Sequence, residues 1–221
     1  AARQPGQIRE GLRYVRARPH LLWLIVLVFF IGTFGFNFAI ILSAYAKITF
    51  HSGAELYGWL NTALAIGSLS GALLAARRTT VRLGFLFAVS GAFSVSMIVL
   101  AFIGWVPLFM VVLVPCGLLA IGFNAMANGT VQLSTAAAVR GRVIGMGGLV
   151  LAGGTPIGGP LIGGVADLWG APVALIVSGV ICLVATAVCA WLAARQAGIR
   201  VHLDLHRGAD RRLILVHREE A

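Results

Sequence analysis

The sequence predicts an all-α integral membrane protein with six transmembrane helices. Three observations carry that prediction. Hydrophobic residues make up 59% of the 221 and charged residues only 11%, whereas a soluble domain carries about 25%. Six apolar runs reach the ~20 residues that a helix needs to cross ~30 Å of hydrocarbon. The arginines collect in the short segments between those runs. Too few polar groups remain to coat a soluble globule, and disorder needs the opposite balance of low hydrophobicity and high charge. The continuous apolar runs also argue against a β-barrel, whose strands alternate lipid-facing and lumen-facing residues.

A basic linker at 1–20 comes first. Ile8, Leu12 and Val15 recur at helical spacing beside Arg9, Arg13 and Arg16. This fits either a short helix in the headgroup region or a solvated linker. The chain starts at Ala1 and shows no cleavable signal, so it is expected to begin within something longer. The first span is expected at about 21–44 and the second at about 56–76, both free of charge. Leu83–Val139 contains no Asp, Glu, Lys or Arg and is too long for one helix. It divides at Gly104-Trp105-Val106-Pro107, where glycine and proline mark a turn, into spans at about 83–103 and 108–129. The fifth span is expected at about 143–166 and the sixth at about 173–194. The six-helix domain thus occupies 21–194, and a basic tail occupies 195–221.

Sixteen arginines fall on one side of this arrangement. They lie in the linker, in the loop with Arg77, Arg78 and Arg82, in the loop with Arg140 and Arg142, and in the tail. The other side holds Lys47 as its one cation. By the positive-inside rule both termini are expected in the cytoplasm, with the helices in the cell (inner or plasma) membrane. Attraction of these cations to anionic lipid accounts for the net charge of +10, so the lipid bilayer is the expected partner and nucleic acid is not.

No charged residue lies inside an expected span, and so these helices hold no evident proton relay. Gly145 and Gly147 begin a dinucleotide fingerprint that fails at Val150, and no phosphate-binding loop occurs. Cys116, Cys182 and Cys189 sit in apolar stretches and read as small buried hydrophobes. No metal, cofactor or enzymatic activity is expected, because nothing gathers a nucleophile, a base and a metal set. Uncharged amides are the chemistry that remains. Asn124, Asn128 and Gln132 recur at i, i+4, i+8 and share a helix face. Asn37 lies near mid-membrane and Asn61 in the outer third of the second span. Such amides either face a cavity or hold helices together through hydrogen bonds. Both alternatives stand for Asn37 and Asn124, while Asn61 and Gln132 read as structural. Asn128-Gly129-Thr130 is a formal glycosylation sequon at the cytoplasmic end of a span, and is discounted.

Two glycine-containing stretches concern packing. Ala63, Gly67, Gly71 and Ala75 make a small-residue face that lets backbones approach closely. The fifth span contains Gly153-Gly154-Thr155-Pro156-Ile157-Gly158-Gly159-Pro160-Leu161-Ile162-Gly163-Gly164. Glycine pairs and two prolines make a poor helix interior by propensity. Each proline also removes a backbone hydrogen bond and promotes a kink. Such a helix can be a gating hinge or a static kinked contact.

That string resembles the penultimate helix of major facilitator superfamily transporters, and its Gly159-Pro160 to Gly163-Gly164 core is similar to the superfamily's antiporter motif. Phe123-Asn124-Ala125-Met126-Ala127-Asn128, continuing to Gln132-Leu133 and Arg140-Gly141-Arg142-Val143, resembles the stretch from the tenth helix into the eleventh. Arg9 to Val15 with Arg18-Pro19 resembles the end of the central cytoplasmic loop. The resemblance runs from residue 6 to about 196 and is strongest to the enterobactin-exporter-like and macrolide-efflux-like branch. Two departures stand out: 77–82 lacks the acidic residue of a loop-gating motif, and Ala136–Val139 lacks the acidic residue often found there.

The resemblance implies the C-terminal half of a twelve-helix fold, with the N-terminal six-helix half as partner. It implies secondary active transport by alternating access, with a small-molecule substrate held at the midplane between halves. By position it makes Phe34, Asn37, Phe38, Asn124 and Asn128 candidates for the substrate cavity. Pro156, Gly159, Pro160, Gly163 and Gly164 become candidates for gating, and Arg77, Arg78, Arg82, Arg140 and Arg142 form the cytoplasmic basic face. The amide- and aromatic-bearing candidates suit export of small amphipathic, drug- or siderophore-like molecules. The alternative is a non-transporting membrane fragment or helical interaction protein.

Overall fold

The computed structural model describes residues 19–77, 82–133, 145, 154 and 156–196. The described residues are helical or lie in the short connections between helices. The first span begins with α1 (Pro19–Phe30), passes through a π-helical turn at Ile31–Gly35, restarts as α2 (Phe38–Ala44) and ends in a second π turn at Tyr45–Thr49. Then follow α3 (Ala54–Ala76), α4 (Leu83–Ala101) and α5 (Val106–Leu133). Residues 156–169 form α6, and α7 is Ala171–Gln196.

Among the described residues, five helices are long and apolar enough to cross a membrane: Leu21–Thr49, Ala54–Ala76, Leu83–Ala101, Val106–Gln132 and Ala171–Arg195. Most of the expected fifth span before Pro156 lies outside the described residues, as do the linker before Pro19 and the tail after Gln196.

The first span departs from the uninterrupted helix expected at 21–44. It runs on to Thr49 and breaks at Phe36–Asn37. The break combines a locally weak helix with packing from two neighbouring helices. The π turn contains Gly32 and Gly35, which hold a helix weakly. A Cβ on Gly35 would lie 2.9 Å from Cε1 of Phe93 and 3.4 Å from Sγ of Cys182, so glycine lets α4 and α7 close on the break. Asn37 then caps the restarted helix, its carbonyl accepting from the N–H groups of Ile40 and Ile41 at 3.2 and 3.1 Å. Its side-chain Nδ2 donates to the Thr33 carbonyl at 2.6 Å, taking the acceptor that a regular helix would give to a backbone N–H.

Turns elsewhere follow the punctuation. Trp105 opens α5, its carbonyl accepting from Phe109 N–H at 3.0 Å, with Pro107 in the first turn where a missing N–H is harmless. Gly170 joins α6 to α7 at φ +89°, a left-handed conformation that suits glycine. Its N–H donates to the Ala166 carbonyl at 2.9 Å.

Two helix pairs form the framework. α3 lies along α5 with almost no side chain between them: a Cβ on Gly67 would overlap the Val114 carbonyl, and one on Gly71 the Leu118 carbonyl. Reciprocally, a Cβ on Gly117 would lie 2.5 Å from the Leu64 carbonyl oxygen. This is the packing that the small-residue face predicts. α4 lies along α7 and is tied to it by hydroxyls. Thr186 Oγ1 donates to the Cys182 carbonyl at 2.7 Å, so Ser90 Oγ must be the donor in its 2.8 Å bond with Thr186. Tyr45, Phe50 and Phe109 cluster at the end of the first span in tilted and edge-to-face contacts, with Tyr45 and Phe109 centroids 4.7 Å apart.

The outward faces are apolar. Ile66, Leu69 and Leu73 on α3 and Val180, Val184 and Val188 on α7 recur at helical spacing and are exposed. In water such faces would be a liability; in lipid they are the solvent-facing surface. Exposed Trp59, Trp105 and Trp169 lie at helix ends. Trp191 lies near the other end of α7 with the Arg195 guanidinium 3.9 Å from its ring centroid. Aromatic residues at helix ends suit the membrane–water interface.

Candidate functional site

The best-defined polar site is the crossing of the broken first span and the glycine- and proline-containing helix. Thr33 and Asn37 lie one turn apart on the first span and are 1% and 3% exposed. α6 covers them through glycines. A Cβ on Gly158 would overlap the Thr33 carbonyl and lie 3.1 Å from Nδ2 of Asn37. At the preceding turn, a Cβ on Gly154 would overlap the Thr33 hydroxyl. Gly159 and Gly163 face Ile40, with Cβ positions 3.2 and 3.6 Å from its side chain. Any residue larger than glycine at 154 or 158 would push the two helices apart.

Asn37 Oδ1 and Thr33 Oγ1 are buried and have no hydrogen-bond partner among the described residues. Tyr45 Oη and Ser178 Oγ share that condition. Buried orphans of this kind are rare, because each forfeits its hydration without replacement. Among the described residues the buried polar side chains are Thr33, Asn37, Ser90, Ser94, Ser178 and Thr186, and none is charged. The site is therefore polar but electrically neutral.

The other expected residues fall in several places. Phe34 is half-buried and stacks on Phe30, centroids 6.4 Å apart. Phe38 is buried edge-on against Phe93, at 6.1 Å. Asn124 is half-buried and Asn128 exposed on α5; Asn128 Nδ2 donates to Asn124 Oδ1 at 2.7 Å and to its carbonyl at 3.0 Å. Pro156 and Pro160 are exposed, Gly159 is buried, and Gly163 and Gly164 are half-buried. A Cβ on Gly164 would meet nothing within 4 Å. Exposed Arg77 ends α3, and exposed Arg82 precedes α4. Arg78, Arg140 and Arg142 lie outside the described residues.

Thr33 escaped the sequence reading, although its spacing of four from Asn37 could have singled it out. The Ser90–Thr186 pair had no such signal, since its members are 96 residues apart. Cys116, Cys182 and Cys189 are free and buried. No cluster of His, Cys, Asp or Glu among the described residues could hold a metal ion.

In comparisons with known proteins, a family profile described as transmembrane secretion effector matches residues 3–202. No curated protein and no solved structure matches the chain.

Proposed function

The chain belongs to the transmembrane secretion effector family of the major facilitator superfamily, and from that premise we propose that it is a secondary active exporter of small amphipathic molecules. In this reading the chain supplies the C-terminal six helices of a twelve-helix transporter, with α6 belonging to the fifth. The arginine-bearing ends face the cytoplasm, and the cargo site lies at the midplane between this half and an N-terminal partner half.

The observation that carries the cargo class is the neutrality of the buried polar groups. Thr33 and Asn37 offer oxygens without charge, and Phe34, Phe38 and the Asn124–Asn128 pair add aromatic and amide surface. A site for an anion would call for a buried Arg or Lys, and none is buried among the described residues. The coupling ion in turn finds no buried carboxylate among the described residues, so in this reading its site belongs to the partner half. Siderophore- or drug-like compounds with neutral hydrogen-bonding groups fit best, in keeping with the resemblance to enterobactin- and macrolide-exporter-like sequences.

The test is gradient-driven flux in proteoliposomes, using the full-length transporter and a panel of neutral, cationic and anionic amphiphiles. Neutral compounds should move fastest. Asn124→Ala should alter the spectrum of compounds moved more than the amount of protein inserted. Preferential flux of anions, or equal loss of protein and flux in Asn124→Ala, would overturn the reading.

A further inference from the structure

We propose that Thr33 and Asn37 form a closed binding site for a neutral hydrogen-bond donor, opened when α6 moves off the break in the first span. This rests on the transport reading and deepens it by naming the group on the cargo that is recognised and the helix that uncovers the site. Two independent features meet here. The first is a run of glycines on α6 that brings backbone against backbone at Thr33. The second is a pair of oxygens, Thr33 Oγ1 and Asn37 Oδ1, buried beneath those glycines with no partner among the described residues.

The chemistry selects the ligand. Asn37 uses Nδ2 on the Thr33 carbonyl, which turns Oδ1 into a free acceptor. Thr33 Oγ1 can also accept. Asn37 Oδ1 only accepts, the Thr33 hydroxyl accepts or donates, and no cation is buried beside them among the described residues, a set that favours a neutral hydroxyl or amide N–H. In the closed arrangement neither oxygen has a partner among the described residues, so a ligand that satisfies them binds the open arrangement better and shifts the population towards it. Contacts at Gly154 and Gly158 are tight in the closed arrangement, yet both are made by glycines, which carry no side chain of their own to be repacked when α6 withdraws. Pro156 and Pro160 flank Gly158 and Gly159, and loosen the helix at the same place.

Two measurements on the full-length protein test this. The first replaces Cys116, Cys182 and Cys189 by Ala, introduces Thr33→Cys, and follows labelling by a small maleimide in native membrane vesicles of both orientations. Labelling of this position, 1% exposed in the closed arrangement, is expected in at least one orientation. Gly158→Val in the same background should speed it several-fold by wedging α6 away. The second measures binding of umbelliferone and its methyl ether to nanodisc-embedded protein against empty nanodiscs, at a pH that keeps the phenol neutral. One net hydrogen bond is worth ~0.5–1.5 kcal/mol, so the phenol should bind roughly two- to ten-fold more tightly than the ether. Thr33→Val and Asn37→Leu should bring that ratio towards one, and Thr33→Ser should keep it. Absence of labelling in both orientations, or a ratio unchanged in Asn37→Leu, overturns the proposal even where flux is intact. Labelling with a phenol preference, but no flux of any amphiphile, would uphold the site while the transport reading fails.

Discussion

Substitution of Gly67 by alanine tests the packing of α3 on α5 most directly. The added methyl would overlap the Val114 carbonyl oxygen, lie 2.8 Å from the carbonyl carbon and 3.0 Å from the Leu118 nitrogen. All three atoms are backbone, so no rotamer change relieves the clash and α5 itself must shift. Overpacking costs about 1–3 kcal/mol, and a rigid obstacle belongs at the upper end. Alanine's better helix propensity returns up to about 1 kcal/mol. The net loss is then about 2 kcal/mol, or roughly 4–8 °C for a chain of this size. Gly91 on α4 is the control, since a Cβ there meets nothing within 4 Å, and Gly91→Ala should be neutral or slightly stabilising. Unfolding midpoints of the detergent-solubilised proteins, followed by tryptophan fluorescence, read both. A double-mutant cycle adds a sharper point. Once Gly67→Ala has separated the helices, Gly117→Ala should cost less than it does alone, because its own clash is with Leu64 across the same crossing. Equal midpoints for Gly67→Ala and Gly91→Ala would refute the backbone contact.

Three further outcomes follow from the same structure. Thr186→Val should weaken the α4–α7 pair by about 0.6–1.7 kcal/mol, the range for interhelical hydrogen bonds in membranes, and a cycle with Ser90→Ala should assign that loss to the 2.8 Å bond; additive losses would deny the coupling. Gly158→Ala should lower the unfolding midpoint clearly more than Gly164→Ala, because position 158 abuts Thr33 and 164 meets nothing; the reverse order would show that α6 does not sit on the break. Epitope tags at the two ends of the chain should both be reached from the cytoplasmic side of the membrane, as the arginine distribution predicts; labelling from opposite sides would contradict the proposed six crossings.

The helical membrane class was legible because it depends on one-dimensional quantities, namely the length of apolar runs and the scarcity of charge within them. The small-residue face of α3 was legible for a similar reason: Ala63, Gly67 and Gly71 repeat every four residues, and that repeat alone places small side chains on one face, although it does not name α5 as the partner. The break in the first span was not legible. Phe34-Gly35-Phe36-Asn37-Phe38 reads as ordinary apolar helix, and its interruption depends on Phe93 and Cys182 closing over Gly35 from α4 and α7.

For the candidate site, the sequence alone determined that Asn37 is an amide in lipid and that 153–164 is an unusual helix. It left open whether either one packs or functions, and it gave no sign that they meet. Only the tertiary structure decided that Asn37 lies under Gly158 and that Thr33 belongs with it. The physical reason is that a glycine encodes the absence of a side chain, and what fills that absence is chosen by a neighbour more than a hundred residues away. Local pattern determines which groups need a partner in a medium without water; the crossing of helices determines which of them obtain one.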